Sequence, residues 1–279
     1  MITLIGMGSG TPETFTAQGL AALQKADRIL GARRLLEQLP EGCTPNRKAL
    51  YKPEEILACL AEAPEAETAL VYSGDTGFYS GAARLLPMLR ACGISCNVIP
   101  GLSSVQLLAA AVGRPWQDWK LVSAHGCACD PVAECLDAAP GPVFFLTGGA
   151  ETPATLCGHL AAAGLGDAHA IVGESLGTPA ETIFFGTAEQ FAQKQFASLS
   201  VLLIEHLPQP LRRTQGLPDE AFLRGEVPMT KQEVRAAALA KLAVKPAETL
   251  WDVGAGTGSV SVELALAAPR GKVYAVECD

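Results

Sequence analysis

Three stretches near the start of the chain repeat one local design: a short apolar run, a loop of small residues, then a segment with helical periodicity. They read LIGMGSGTPETFT from Leu4, VYSGDTGFYSGA from Val71 and VIPGLSSVQLLA from Val98. A strand can pass abruptly into a helix where glycine, lacking a Cβ, tolerates the backbone angles of the corner. Strand–loop–helix units in series imply parallel strands with helical crossovers, because the chain must return to the same end of the sheet before each new strand. The recurrence therefore points to an α/β architecture. It also gathers the loops beyond the C-terminal ends of the strands, where open α/β sheets bind ligands.

The alternation continues downstream. WKLVSAHG, PVFFLTGG, AHAIVGES and LSVLLIE are strand candidates, VAECLDAA and TPATLCGHLAAAG are helix candidates, and ETIFFGTAEQFA reads as strand then helix. TFTAQGLAALQKADRILGARRLL is expected to be helical throughout, on the spacing of Leu20, Leu23, Ile29 and Leu30. The strands are nearly all apolar, as in mostly parallel sheets covered on both faces. The pattern pauses at RPWQDWK, which places a boundary near Arg114 and divides residues 1–206 into lobes of about 1–113 and 114–206. Pro208, Pro210, Pro218 and Pro228 mark residues 207–228 as a linker. Residues 229–279 then supply a helix, expected to open with a capping box of Thr230 and Glu233, and one β-α-β unit from TLWDVGAG, SVSVELALAA and GKVYAVE.

Charge and cysteine usage exclude several function classes. The net charge of −8 disfavours nucleic acid as a partner, and a short basic pair such as Arg212–Arg213 is too small a cluster to offset it. No apolar run reaches the roughly 18–20 residues that cross a bilayer, and MITLIGMGSG has no basic segment before its apolar run, so a cytoplasmic protein is expected. The nine cysteines are scattered. Cys127 and Cys129 closely follow His125, and Cys92 lies near Cys96, but no second pair at matching spacing follows, so no metal site is expected.

The glycines narrow the ligand. Gly6, Gly8 and Gly10 are spaced G-x-G-x-G, whereas a dinucleotide loop is G-x-G-x-x-G, and the acid at the right distance, Asp27, falls in helical pattern. A nicotinamide-dependent oxidoreductase is thus the alternative rather than the leading reading. Asp75, in the second loop, is placed to hold a ribose hydroxyl or a cationic amine.

Taken in order, GMGSGTPETFT, SGDTGFYSGA, PGLSSVQ, VSAHG, FFLTGGAETP and VGESLGTPAETI resemble the loops of the tetrapyrrole methylase family, over essentially all of residues 1–206. Thr76 stands where the family usually has proline. The resemblance implies two α/β lobes with a cleft between them, S-adenosylmethionine folded in that cleft, and C-methylation of a precorrin-type tetrapyrrole. It implies cofactor contacts from Gly6, Asp75, Phe78, Ser103, Ser104, Val105 and Leu146, and a homodimer or higher homo-oligomer. His125 is the tempting base for the proton lost on methylation, or a ligand for a substrate carboxylate. Arg33, Arg34, Lys48 and Arg114 are alternatives for the carboxylates.

SAHG, LTGG and ESLGTPAETI most resemble the cobalamin-pathway branch whose C5-methylating half is fused to a second, Rossmann-type methyltransferase acting at C15 with decarboxylation. VPMTKQEVRAAALAKL and DVGAGTGSVSVELA resemble the start of that second half, with Gly254, Gly256, Gly258 and Glu277 as its cofactor loop. One β-α-β unit is less than such a domain needs. Residues 229–279 are therefore expected to pack on another surface or to be poorly ordered, and to carry no C15 methylation or decarboxylation. The remaining alternatives are a family member with another acceptor (a different macrocycle position, diphthine or ribosomal RNA, the last disfavoured by charge) and a non-catalytic ligand-binding or assembly module.

Overall fold

The protein is described by a computed structural model covering residues 1–207, 215–223, 225 and 227–278. It forms two compact units, Met1–Leu207 and Pro208–Asp279. Arg212 and Arg213, with Pro208 and Pro210 of the expected linker, lie outside the described residues.

The first unit opens with β1 (Ile2–Gly6), α1 (Ala17–Lys25), β2 (Arg28–Gly31), α2 (Arg33–Glu37), β3 (Arg47–Ala49), α3 (Pro53–Glu62), β4 (Thr68–Tyr72), α4 (Ala82–Ala91) and β5 (Cys96–Ile99). The strands form an all-parallel sheet in the order β3-β2-β4-β1-β5. The single long helix expected after the first loop is instead helix, strand, helix. Ile29 and Leu30 face opposite sides: Ile29 packs with Leu23 and Leu35 under α1 and α2, while Leu30 packs with Ile56 and Leu85 under α3 and α4. That two-residue alternation is a strand signal which the surrounding helical spacing disguised. Arg28, in the same strand, is buried, and its guanidinium is satisfied by the Cys59 carbonyl (2.7 Å) and Thr68 Oγ1 (2.9 Å).

The chain then runs through α5 (Ser104–Val112), β6 (Lys120–Ser123), α6 (Pro131–Ala138), β7 (Val143–Leu146), α7 (Pro153–Ala162), β8 (His169–Glu174), β9 (Thr182–Thr187), α8 (Ala188–Ala192) and β10 (Ser200–Glu205). The second sheet has the order β6-β7-β10-β8-β9. Here the expectation of mostly parallel strands fails: β6 and β7 are parallel, and the other three pairings are antiparallel. The cause is connection length. The link from Glu174 to Thr182 is too short for a crossover of about a dozen residues, so β9 folds back on β8 as a hairpin.

Helix α5 joins the lobes. It leaves the third loop of the first sheet, yet Val105, Leu108 and Ala109 pack against Phe144, Ile171 and Val201 of the second. Its start is fixed by a reciprocal cap between Ser103 and Gln106, and its end by Gly113 at φ +65°.

The second unit contains α9 (Gln232–Leu242), β11 (Thr249–Val253), α10 (Ser259–Ala267) and β12 (Lys272–Val276), with β11 and β12 parallel. The capping box expected at Thr230 is not formed: α9 starts after Lys231 without a side-chain cap. The Thr230 carbonyl accepts instead from Arg235, which is fully buried. Arg235 Nε donates to Glu263 (2.8 Å), its Nη1 to Asp219 (2.9 Å) and its Nη2 to the Leu217 carbonyl (2.6 Å). Glu263 in turn accepts from the Gly216 and Leu217 amides. A charge network therefore closes the segment before α9 onto α10.

Candidate active-site cleft

The three glycine loops of the first sheet meet in backbone contact. Gly8 and Gly74 exchange amide–carbonyl bonds at 3.1 and 2.8 Å. A Cβ on Gly6 would stand 2.6 Å from the Gly101 amide and 2.7 Å from the Gly74 carbonyl, so no side chain fits there. Asp75 ties the group together: Oδ1 accepts from the Gly77 amide (2.8 Å) and Oδ2 from the Gly101 amide (3.0 Å). Each oxygen retains one lone pair for a ligand.

Above these loops lies a cleft of about 400 Å³, walled on its other side by the second sheet. Asp75, Phe78, Ser103, Ser104, Leu146 and His125 all line it. Gly6 and Val105 do not. Gly6 is locked between loops, and Val105 sits in the core beneath α5. The two serines differ in availability. Ser103 spends its hydroxyl on the cap of α5, whereas Ser104 Oγ is buried with no partner. An orphaned hydroxyl at a helix start, facing a cleft, is a group waiting for a ligand.

His125 follows β6 and is exposed. Its Nδ1 lies 3.2 Å from the Thr147 carbonyl. A carbonyl only accepts, so Nδ1 carries the hydrogen, which in the neutral ring leaves the Nε2 lone pair for a substrate proton. Gly148 makes room for the ring, since a Cβ there would overlap it.

The tertiary structure adds wall residues that sequence reasoning missed. Tyr79 and Ser175 both line the cleft in the left-handed region, at φ +48°. Non-glycine residues held there store strain, and such positions cluster at functional sites. Tyr79 Oη donates to the Leu121 carbonyl (3.0 Å), and Ser9 Oγ and Thr11 Oγ1 both donate to the Gly177 carbonyl (2.9 Å each), so the lobes are strapped at two places. Burial and nearby Glu134 raise the Tyr79 phenol above its ordinary pKa. No local signal marks the roles of Tyr79, Ser9 and Thr11, because each acts across the lobes. Of the four basic candidates, Arg34 lines the cleft. Lys48 pairs with Glu62 (3.0 Å), Arg114 with Glu205, and Arg33 is exposed on α2.

In the second unit Gly254, Gly256 and Gly258 are all left-handed, at φ +81°, +54° and +75°. The Gly256 amide donates to Glu277 (2.6 Å), which ties the loop to the end of β12. A smaller depression of about 220 Å³ lies at the N-terminal ends of β1, β4 and β5, away from every glycine loop. Among the described residues, no group of three or more His, Cys, Asp or Glu side chains is arranged to hold a metal, and no helix is long and apolar enough to cross a membrane.

Residues 1–192 match the family described as Tetrapyrrole (Corrin/Porphyrin) Methylases, and residues 220–279 match the Precorrin methyltransferase domain. The chain is 30% identical, over 100% of its length and 70% of the relative's, to a precorrin-6Y C(5,15)-methyltransferase [decarboxylating] of Mycobacterium tuberculosis. A shorter match, 61% identical over 22% of this chain and 32% of the relative, is to a cobalt-precorrin-6B C(15)-methyltransferase (decarboxylating) of Salmonella typhimurium. Among solved structures, a precorrin-6Y methylase of Archaeoglobus fulgidus aligns with a TM-score of 0.58 at 22% identity, over 75% of this chain and 99% of that one. A uroporphyrin-III C-methyl transferase of Thermus thermophilus complexed with S-adenosyl homocysteine aligns with a TM-score of 0.58 at 21% identity, over 73% and 96%.

Proposed function

The chain belongs to the tetrapyrrole (corrin/porphyrin) methylase family, and from that premise we propose that its cleft serves C5 methylation of a precorrin-6Y-type macrocycle in cobalamin biosynthesis. It is an S-adenosylmethionine-dependent methyltransferase. The carrying observation is the convergence of three glycine loops beneath one cleft, with the unpartnered Ser104 hydroxyl at its edge.

The residues present fit the cofactor. The cleft volume falls within the range of about 300–1,000 Å³ usual for small-molecule sites. The glycine corners let a nucleoside approach the backbone, Ser104 Oγ offers a hydrogen bond, Asp75 retains acceptor capacity for ribose hydroxyls, and Phe78 and Leu146 supply apolar surface. Bound there, S-adenosylmethionine supplies an electrophilic methyl group. The protein's part is alignment and exclusion of water, which suits a substrate carbon that is itself electron-rich. His125 Nε2 takes the proton released when the methylated carbon regains its double bond. In this reading residues 1–206 act as the methylase domain, 207–228 as a linker, and 229–279 as a segment of a second methyltransferase whose loop is Gly254, Gly256, Gly258 and Glu277. The nine free thiols suit a reducing cytoplasm, and a homodimer or higher homo-oligomer, measurable by light scattering, completes the reading.

Calorimetry with S-adenosylhomocysteine, followed by methyl-transfer assays on a reduced precorrin, tests it. Micromolar binding and C-methylation are expected, and binding of NAD in place of S-adenosylhomocysteine would overturn the proposal. His125→Ala is expected to keep S-adenosylhomocysteine affinity and to slow methyl transfer by about 10²-fold.

A further inference from the structure

Arg34 is the one Lys or Arg side chain on the cleft wall among the described residues. It projects from α2, and neutral groups hold it on two sides. Nη1 donates to Gln38 Oε1 (3.2 Å) and Nη2 to Ser73 Oγ (3.1 Å). Gln38 is seated against Gly10, where a Cβ would overlap its side-chain amide. The guanidinium is therefore fixed between the first and second glycine loops. None of the ion pairs among the described residues includes it. Asp75, the one acid on the wall, directs its oxygens at two backbone amides. Arg34 is thus a positioned, half-buried cation without a counter-ion, and further N–H groups remain on its planar fork.

Such a group selects a carboxylate, which the fork can grip through two bonds at once. Two carboxylates can enter this cleft. That of the cofactor comes with its own ammonium and a sulfonium, which a guanidinium repels. Those of a precorrin-type macrocycle carry surplus negative charge. The whole chain is acidic, at −8, so it repels a polyanion at long range and needs a local cation to admit one. Building on the proposed function, we propose that Arg34 is the carboxylate-recognising residue of the cleft and grips an acidic side arm of the macrocycle, so fixing which bridge carbon faces the methyl donor.

The test uses the full chain with two probes, uroporphyrin III (an octacarboxylic tetrapyrrole) followed by fluorescence, and S-adenosylhomocysteine followed by calorimetry. Arg34→Met is expected to weaken uroporphyrin at least tenfold and Arg34→Lys to weaken it less, because charge survives but the fork does not. S-adenosylhomocysteine affinity should stay within twofold in both, which also reports an intact cleft. Arg33→Met, on the same helix but off the cleft wall, should change neither. Unchanged uroporphyrin affinity in Arg34→Met overturns the assignment. A loss of S-adenosylhomocysteine affinity as large as the uroporphyrin loss in Arg34→Lys overturns it too, since the carboxylate gripped is then the cofactor's. Failure of the unmodified chain to bind uroporphyrin while it binds S-adenosylhomocysteine removes the macrocycle reading itself, and the Arg34 assignment with it.

Discussion

Asp75 shows how one side chain can serve packing and chemistry together. Its oxygens hold the Gly77 and Gly101 amides, so the second and third loops stay in register beneath the cleft. Hydrogen bonds to a charged group contribute about 1.5–3 kcal/mol each. Asp75→Ala is accordingly expected to lower S-adenosylhomocysteine affinity at least tenfold in calorimetry and to lower the melting temperature of the first unit. Gly101→Ala should be more damaging still. Its Cβ would lie 2.6 Å from the Gly6 carbonyl, backbone that cannot yield, so calorimetry should show no cofactor binding. The sequence singled out Asp75 and the glycines, but their mutual contact was not legible, because the loops are far apart along the chain. Two core thiols make a pH prediction. Burial pushes Cys135 and Cys157 up to about 12 from an ordinary 9.0. Unfolding lets them ionise near 9, so the unfolded state holds fewer protons there. Their contribution to stability is whole below pH 9 and is lost as pH rises from 9 toward 12. The melting temperature should fall over that range, and less steeply in Cys135→Ala/Cys157→Ala.

Among the elements, those whose signal is local were legible and those set by neighbours were not. The strands VFFL and SVLLIE announce themselves, because continuous apolar residues are what a strand covered on both faces requires. Strand β2 did not, because RILG continues a helical spacing by coincidence and only its neighbours β3 and β4 show it to be a strand. The hairpin of β8 and β9 likewise depends on a short connection rather than on composition. In the second unit, α9 is held less by its own start than by Arg235, whose partners come from residues 216–219, Thr230 and α10. Removing that arginine leaves Glu263 buried without its cation, a change that typically costs 3–5 kcal/mol. Arg235→Met is expected to render residues 215–278 protease-sensitive in a limited-digestion time course while S-adenosylhomocysteine binding by the first unit persists.

For the molecule as a whole, every residue on the cleft wall falls between Gly8 and Val201, inside the first compact unit. A fragment of residues 1–207 is expected to bind S-adenosylhomocysteine within twofold of the full chain by calorimetry. A loss of tenfold or more would show that the second unit contributes to the site. In the second unit Trp251 and Tyr274 stack at 4.8 Å, and both remain partly open to solvent. By itself the sequence determined the α/β class, the order of most strands and helices, the glycine corners and the family. All of these depend on residues near one another in the chain, where periodicity and backbone freedom act directly. Only the tertiary structure decided that the second sheet is mixed, that Asp75 spends its oxygens on amides, that Ser104 rather than Ser103 has a free hydroxyl, and that Arg34 alone among four basic candidates reaches the cleft. Those outcomes depend on distances between loops brought together by folding, and no local pattern encodes such distances.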